Sequence, residues 1–447
     1  MSEITLLSNQ SSSLLASSYA GQGPEMSEYI YDMPRSTINR FKDRMISTKL
    51  NGAAWGEQQS LEIPSFGILN RMVLKTEFTM QRAGLITAGK IEFIKKALFA
   101  KIIDEVAIMN SSRRIMTLTG DTIQYLVYGL HKDEREKWLI AGMDDAVTDE
   151  NGTAFLEAGL GAGVPVRGAQ NADIGVASKV VVYTLLPFSC FKEGGAKHGP
   201  FKSNFNTRFC EKLSLTIKLS NKTDWLPDAE TGWTISDPTV HLLSDFDIIE
   251  QKSLLSIEEK NYSLSQNLAQ VMSDFNLVKT VSTYNIGTPI GLQIFNTQLC
   301  HSLIITLEAI GTSVVTKPEE QYMPIKAIKL TSAGRVIYET ENQLESLLLG
   351  SQDSYMGNCW STAVVPTGQR DRRNIYVINF ANDGKDTSKI NGCAALKNLN
   401  SLKLEVTPQG PAGTAQQANY TLKCYVRFYQ AIATSAQSGR ISISLSS

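Results

Sequence analysis

Apolar and polar residues alternate with a period of two along most of this chain, the pattern of strands that bury one face. The stretch IDEVAIMNSSRRIM, Ile103 to Met116, runs into a small polar turn and resumes beyond it. IKAIKLTSAGRVIY, Ile325 to Tyr338, repeats that rhythm 222 residues later (325 − 103), with Ile103/Ile325, Arg113/Arg335 and Ile115/Ile337 in register. Three further landmarks recur in the same order: LNRMVLKTEF against LCHSLIITLE, VVVYTLLPF against NIYVINF, and KLSLTIKLS against SLKLEV. Chance explains any one pair, but a shared order is harder to obtain by accident. It points to an internal duplication of a β-domain of roughly 200 residues. Many short strands rich in β-branched and aromatic residues, separated by long loops, predict sandwiches, and the eight-stranded jelly roll is the form that leaves room for large loops. The expected fold is all-β: two eight-stranded jelly-roll sandwiches in tandem, with helical and loop insertions.

The same reading divides the chain into an N-terminal arm over 1–44, a first jelly roll over 45–250, a connector over 251–272 and a second jelly roll over 273–447. The first 25 or so residues are rich in Ser, Gln and Gly and poor in bulky apolar groups, so the arm is expected to be disordered or ordered by a partner. In the connector region the period of two breaks, and Leu264, Leu268, Val271, Met272 and Phe275 fit a short helix or linker. A helix is also expected after Gly120, capped by Asp121 or Thr122, with Ile123, Leu126, Val127 and Leu130 as its apolar stripe. KIEFIKKALFAKII is ambiguous: Ile94, Leu98 and Ile102 share a helical face, yet its end runs directly into a strand. Residues 145–178 are rich in Gly, Ala and Asp without a period, as in a long surface loop.

Composition narrows the partners. Lys plus Arg number 43 and Asp plus Glu 44, so no global charge draws the chain toward nucleic acid or an anionic membrane. The six cysteines, Cys190, Cys210, Cys300, Cys359, Cys393 and Cys424, are scattered singly and read as buried thiols in a reducing compartment. No basic region followed by an apolar core opens the sequence, so a secretory signal is not expected, and no apolar run approaches the roughly 20 residues that span a bilayer.

Candidate chemistry is sparse. His131, His198, His241 and His301 have no second histidine at i+3 or i+4, and no metal or cofactor is expected. Gly159 to Gly163, GLGAG, lacks the Lys-Ser/Thr of a phosphate loop, and no GxSxG elbow supports acyl transfer. Asp144/Asp145 and Glu319/Glu320 read as solvated charge, so no catalytic residue is assigned and the chain is not expected to be an enzyme. Arg113/Arg114 and the run Arg370 to Arg373 are local basic clusters that read as turn and loop charge. Asn-x-Ser/Thr triplets at Asn110, Asn151, Asn221 and Asn419 follow from composition. A glycan- or receptor-binding sandwich is the alternative, and would need an exposed aromatic platform drawn from Trp55, Trp138, Trp225, Trp233 and Trp360.

Several segments carry a family resemblance. EIPSFGILNRMVLKTEF is similar to the early strands of double jelly-roll major capsid proteins, the lineage that includes large eukaryotic DNA viruses, virophages and tailless membrane-containing phages. IIDEVAIMNSSRRIMTLTGDTIQYLV resembles that family's strand, turn, strand and helix. VVYTLLPFSCFKEGGAKHGPFKSNFNTRFCEKLSLTIKL resembles its strand, Leu-Pro-Phe, loop and strand, with Leu186, Pro187 and Phe188 in place. YVRFYQAIATSAQSGRISIS resembles the closing strand with its Ser-Gly turn at Ser438-Gly439. SCFKEGG departs from the aromatic-rich phrase usual after Leu-Pro-Phe in algal and iridovirus members. The resemblance implies a capsid protein that forms pseudo-hexagonal homotrimers tiling an icosahedral virion shell, assembled in the host cytoplasm. Its implied partners are itself, neighbouring capsomers, penton and minor capsid proteins, and an internal membrane met through the arm, with no specific nucleic-acid recognition.

Overall fold

The structure, a computed structural model, describes residues 40–65, 67–82, 97–130, 132–142, 178–189, 207–225, 233–249, 267–285, 288–295, 298–310, 322, 325–342, 345, 375–381, 392–399, 401–408, 417–435 and 441–445. Its strands form four antiparallel sheets in two pairs. The first pair sets β1 (Arg40–Leu50), β9 (Thr239–Ile249), β3 (Ile68–Arg82) and β6 (Ser178–Leu185), in that order, against β2 (Gln58–Glu62), β7 (Leu213–Leu219), β4 (Ile103–Asn110) and β5 (Arg113–Thr119), with β8 (Trp233–Ile235) added on β3. The second sets β10 (Asn267–Asn285), β18 (Gln417–Ser435), β12 (Leu299–Ile310) and β15 (Tyr376–Asn379) against β11 (Ile290–Gln293), β17 (Lys403–Pro408), β13 (Ile325–Ser332) and β14 (Arg335–Thr340). Two short strands, β16 (Ala394–Ala395) and β19 (Ile441–Leu445), extend the larger second sheet.

Strand for strand the two sandwiches share one order, first-eighth-third-sixth over second-seventh-fourth-fifth, which is the jelly roll. Each sequence landmark falls on equivalent strands: β3 with β12, the β4–β5 hairpin with β13–β14, β6 with β15, and β7 with β17. Irregularities recur as well. The β3–β9 ladder skips between Leu69 and Arg71 beside Phe246, and the β12–β18 ladder skips between Cys300 and Ser302 beside Phe428. The two hairpins both bulge one residue into their second strand, at Ile115 and at Ile337.

The period of two explains the cores. Met72, Leu74 and Phe78 of β3 and Leu242 and Phe246 of β9 point inward against Val106 and Ile108 of β4 and Leu213, Leu215 and Ile217 of β7. Leu303, Ile305 and Leu307 of β12 do the same against Ile328 and Leu330 of β13 and Leu404 and Val406 of β17. Fully burying each such side chain contributes about 1.5–3 kcal/mol.

Residues 267–285 correct one expectation. The stripe at Leu268, Val271, Met272 and Phe275 is not helical: β10 opens at Asn267, inside the expected connector, and pairs with β18 along its whole length from Asn267↔Ser435 to Asn285↔Gln417. A 19-residue ladder of backbone hydrogen bonds outweighs a local helical pattern. At the other end β1 opens at Arg40, within the segment read as the arm.

The helix after β5 forms where expected, over Gly120–Tyr128, but its cap is Thr119 rather than Asp121 or Thr122. Thr119 Oγ1 accepts from the Thr122 N–H at 3.4 Å while Thr122 Oγ1 accepts from the Thr119 N–H at 2.8 Å. Ile123 and Val127 are buried, and the charges that follow lie on a second helix, Lys132–Ala141. The ambiguous segment resolves, in its described part, into one helical turn at Leu98–Lys101 leading into β4.

Gly120 is required by a close approach: a Cβ there would lie 2.3 Å from Ala100 O and 2.5 Å from Ile103 O, both backbone atoms. Gly120→Ala is therefore expected to destabilise by about 1–3 kcal/mol, read as a lowered denaturation midpoint. An unchanged midpoint would show that the helix start is free to shift.

Candidate functional site at the seam between the two sandwiches

The larger sheet of the second sandwich is covered on both faces. Leu422, Cys424 and Val426 of β18 point into the second core, whereas Tyr425 between them joins the first. Ile304 of β12 and Val377 of β15 do likewise, and Phe275 and Leu277 of β10 pack against the same first core. What covers this outer face is the first sandwich: its edge strand β5 and the helix Gly120–Tyr128.

An edge strand presents unpaired backbone groups. On β5 two of them are met by side chains of the opposite sheet: Asp274 Oδ1 accepts the Thr117 N–H at 3.2 Å, and Gln430 Nε2 donates to Ile115 O at 2.9 Å. Ser189, just past Leu186-Pro187-Phe188, donates to Ser273 O at 2.8 Å. Leu186 itself extends β6 by donating its N–H to Met72 O at 3.0 Å, so the Leu-Pro-Phe motif carries the chain from the sheet to the seam.

At the centre lies Asp121, in the first turn of the helix. Its Oδ1 accepts from Lys101 Nζ at 3.1 Å and Tyr322 OH at 2.9 Å, and its Oδ2 from Lys423 Nζ at 2.8 Å and Tyr425 OH at 2.6 Å. Four donors fill the four lone-pair positions of a carboxylate. Glu308 Oε2 lies 2.9 Å from Lys423 Nζ, so two cations and two anions balance. Burial alone would raise the Asp121 carboxyl, but Lys101 and Lys423 and the hydrogen bonds from Lys423 and Tyr425 hold it well below the usual carboxylate range. Burial opposes the charge on Glu308 as well, and the same two lysines keep its pKa below normal. The ammonium of Lys101 also sits 5.1 Å from the centre of the Tyr322 ring. Such a network rewards one relative placement of the sandwiches, because any other leaves charges buried and unpaired.

A second polar group lies farther along the seam, beside a cavity of about 10 Å³ lined in part by Leu126, Phe188, Ser273, Asp274, Phe275 and Arg427. Arg427 is only 1% exposed; its Nη2 donates to Ser273 Oγ at 3.1 Å, and its guanidinium carbon lies 5.6 Å from the centre of the Phe275 ring. Burial pushes Asp274 up to about 7, against the lowering effect of the Phe275 and Thr117 N–H groups and the Arg114 charge. Burial, with the Arg427 charge, pushes His301 down to about 3, so its ring is neutral.

The other sequence candidates do not converge here. Trp225 is wholly buried against Trp55 and Phe78, with ring centres 5.1 and 5.6 Å away, which removes it from any surface platform; Trp138 lies half-buried beneath Arg71. Arg114 pairs with Glu105 at 2.6 Å. Asn110 is buried and donates to Glu211 O, which takes it out of reach of a glycan. Cys210, Cys300, Cys393 and Cys424 are free thiols, and burial pushes Cys424 up to about 12. His131, His198, Cys190, Cys359, Trp360, Gly159 to Gly163, Asp144/Asp145, Asn151, Glu319/Glu320, Arg370 to Arg373 and Ser438-Gly439 lie outside the described residues.

The sequence matches no family model and no curated protein. Solved structures do match. The capsid of the virus PBCV-1 superposes with a TM-score of 0.61 at 12% identity, over 94% of this chain and 100% of that one. The mavirus major capsid protein gives 0.55 at 10%, over 92% and 91%, and the Faustovirus major capsid protein 0.54 at 10%, over 96% and 98%. The fold of this chain is that double jelly roll.

Proposed function

We propose that the chain is a major capsid protein whose activity is assembly: three copies join into a trimeric capsomer of pseudo-hexagonal outline, and capsomers tile an icosahedral virion shell. The observation that carries this reading is the twin topology. Two sandwiches of one strand order, held side by side in one chain, let three chains present six similar corners, so hexagonal packing needs only threefold symmetry. The fold likeness to capsid proteins, over at least 92% of the chain, supports it.

Strand order supports an orientation for the capsomer. The β5–β6 and β14–β15 connections, 120–177 and 341–375, are the longest of their sandwiches, and both leave from the end opposite to the start of β1. That end is the outer surface in this reading, and the arm ahead of β1 enters at the base, where it meets minor capsid proteins or an internal membrane. The first sandwich then ends near residue 250, and the second starts with β10. Penton proteins and neighbouring capsomers complete the shell, assembled in the host cytoplasm.

Size-exclusion chromatography with light scattering tests the trimer. Three times the chain mass of 49.2 kDa is the expected result. A single-chain mass that persists at high protein concentration would contradict it.

A further inference from the structure

The buried charges of the seam do not all balance. Asp121 and Glu308 answer Lys101 and Lys423, but Arg427, on the same face of β18 as Lys423, is a third buried cation with no carboxylate in ion-pair reach among the described residues. Its Nε and Nη2 both donate to Ser273 Oγ, at 3.3 and 3.1 Å, and the Phe275 ring lies against its guanidinium. Nη1 is fully buried and finds no acceptor among the described residues. Ser273 Oγ accepts twice, so its own hydrogen is left to donate, and no described residue takes it.

Arg427 and Ser273 both line the cavity of about 10 Å³. Its wall draws on both sandwiches, with Met116 and Phe188 from the first and Asp274 and Phe275 from the second. A volume of this size takes one water-sized species and is too small for phosphate, sulfate or a carboxylate. The chemistry of the wall chooses among the species that fit. Two donors without acceptors suit one that only accepts, and a buried cation without a counter-charge is unfavourable to a degree that a water dipole offsets only in part. Asp274 is not that counter-charge: its Oδ1 accepts from the Phe275 and Thr117 N–H groups, and burial pushes it up to about 7, so below that pH it is a neutral carboxyl. The other ionisable groups here are Arg114 of β5, which acts on Asp274, and His301 of β12, which is neutral.

We propose that this cavity binds one monatomic anion, chloride being the ordinary one, held by Arg427 Nη1 and the Ser273 hydroxyl and enclosed by both sandwiches. The ion pins the seam. Its site is complete only when the two sandwiches are closed on each other, so chloride stabilises the closed chain. Ionised Asp274 repels the ion, and affinity falls as pH rises through 7. The site belongs to the single chain and does not depend on the assembly reading.

The test follows the melting temperature of the full chain at pH 6 while gluconate, too large for the cavity, is exchanged for chloride at constant ionic strength. Beyond half-saturation, a rise of about 2–4 °C for each hundredfold increase in chloride is expected, with a smaller rise at pH 8. Ser273→Ala should raise the half-saturating chloride concentration about tenfold, and Arg427→Met should abolish the response. A wild-type crystal grown in bromide is the second readout, and it decides the matter if Arg427→Met does not fold. An anomalous peak beside Arg427 Nη1 is expected. A melting temperature indifferent to the exchange, an equal rise in Arg427→Met, or a water beside Nη1 with no bromide there would overturn the site.

Discussion

Asp121→Asn is expected to destabilise the folded chain by about 3–5 kcal/mol, as much as a large core truncation. The carboxylate neutralises Lys101 and Lys423 and accepts from two tyrosine hydroxyls. An asparagine keeps the shape, removes the charge and turns an N–H₂ group toward ammonium donors. Glu308 alone then faces two buried cations. Because the cost is uncompensated charge rather than lost volume, adding Lys423→Met should return part of it, leaving Lys101 opposite Glu308. Chemical denaturation of the single and double variants measures both. A double variant no more stable than Asp121→Asn would mean that the network is held by something other than charge balance.

The second large effect is a dependence on pH with an unusual sign. Asp274 titrates near 7 in the folded chain, against the ordinary 3.8, because it is buried beside the β5 edge. Between about pH 4 and 7 the unfolded chain has released this proton and the folded chain has not, so its contribution to stability falls as pH rises through that window, by at most about 1.4 kcal/mol per pH unit. Asp274 is not wholly enclosed, which keeps the slope below that ceiling. Asp121 and Glu308 act oppositely: their depressed pKa values contribute stability above the ordinary carboxylate range, and it is lost as pH falls through their folded values. Lys101 and Lys423, raised above 10.5, contribute below that pH and lose their contribution only above it. His301 opposes Asp274: held down to about 3 against the ordinary 6.5, its ring is neutral in the folded chain while the unfolded chain protonates it below about pH 6.5, so its contribution to stability rises with pH over much of the same window. Melting temperatures across pH 4–8, compared between the wild type and Asp274→Asn, should show the wild type losing ground to the variant as pH rises toward 7. An identical profile in the two would remove Asp274 as its source.

The landmark strands were legible because each sandwich buries one face of each sheet, and a period of two survives any loop inserted between strands. Ile115 and Ile337, which align without a gap between Ile103 to Met116 and Ile325 to Tyr338, occupy the same bulge in the two hairpins, a feature that the alternation alone did not reveal. The strand β10 was not legible. Its apolar residues serve two cores, Phe275 and Leu277 the first and Val278 the second, so strict alternation is lost and a helical stripe appears in its place. The seam was invisible for a different reason. Asp121 reads as a helix cap, and its partners Tyr322, Lys423 and Tyr425 stand 201, 302 and 304 residues away. On β18 the alternation of Lys423, Tyr425 and Arg427 with Leu422, Cys424 and Val426 looks like a strand with one wet face. Only the placement of the first sandwich over that face shows it to be buried.

The assembly proposed for this fold is a tile with six corners built from three chains. Electron microscopy of the purified protein, with particles averaged in projection, tests that directly. Three-lobed particles with a hexagonal outline, each chain supplying two adjacent corners, are the expected result. Elongated two-lobed particles that remain single, or rings of any other number, would contradict it.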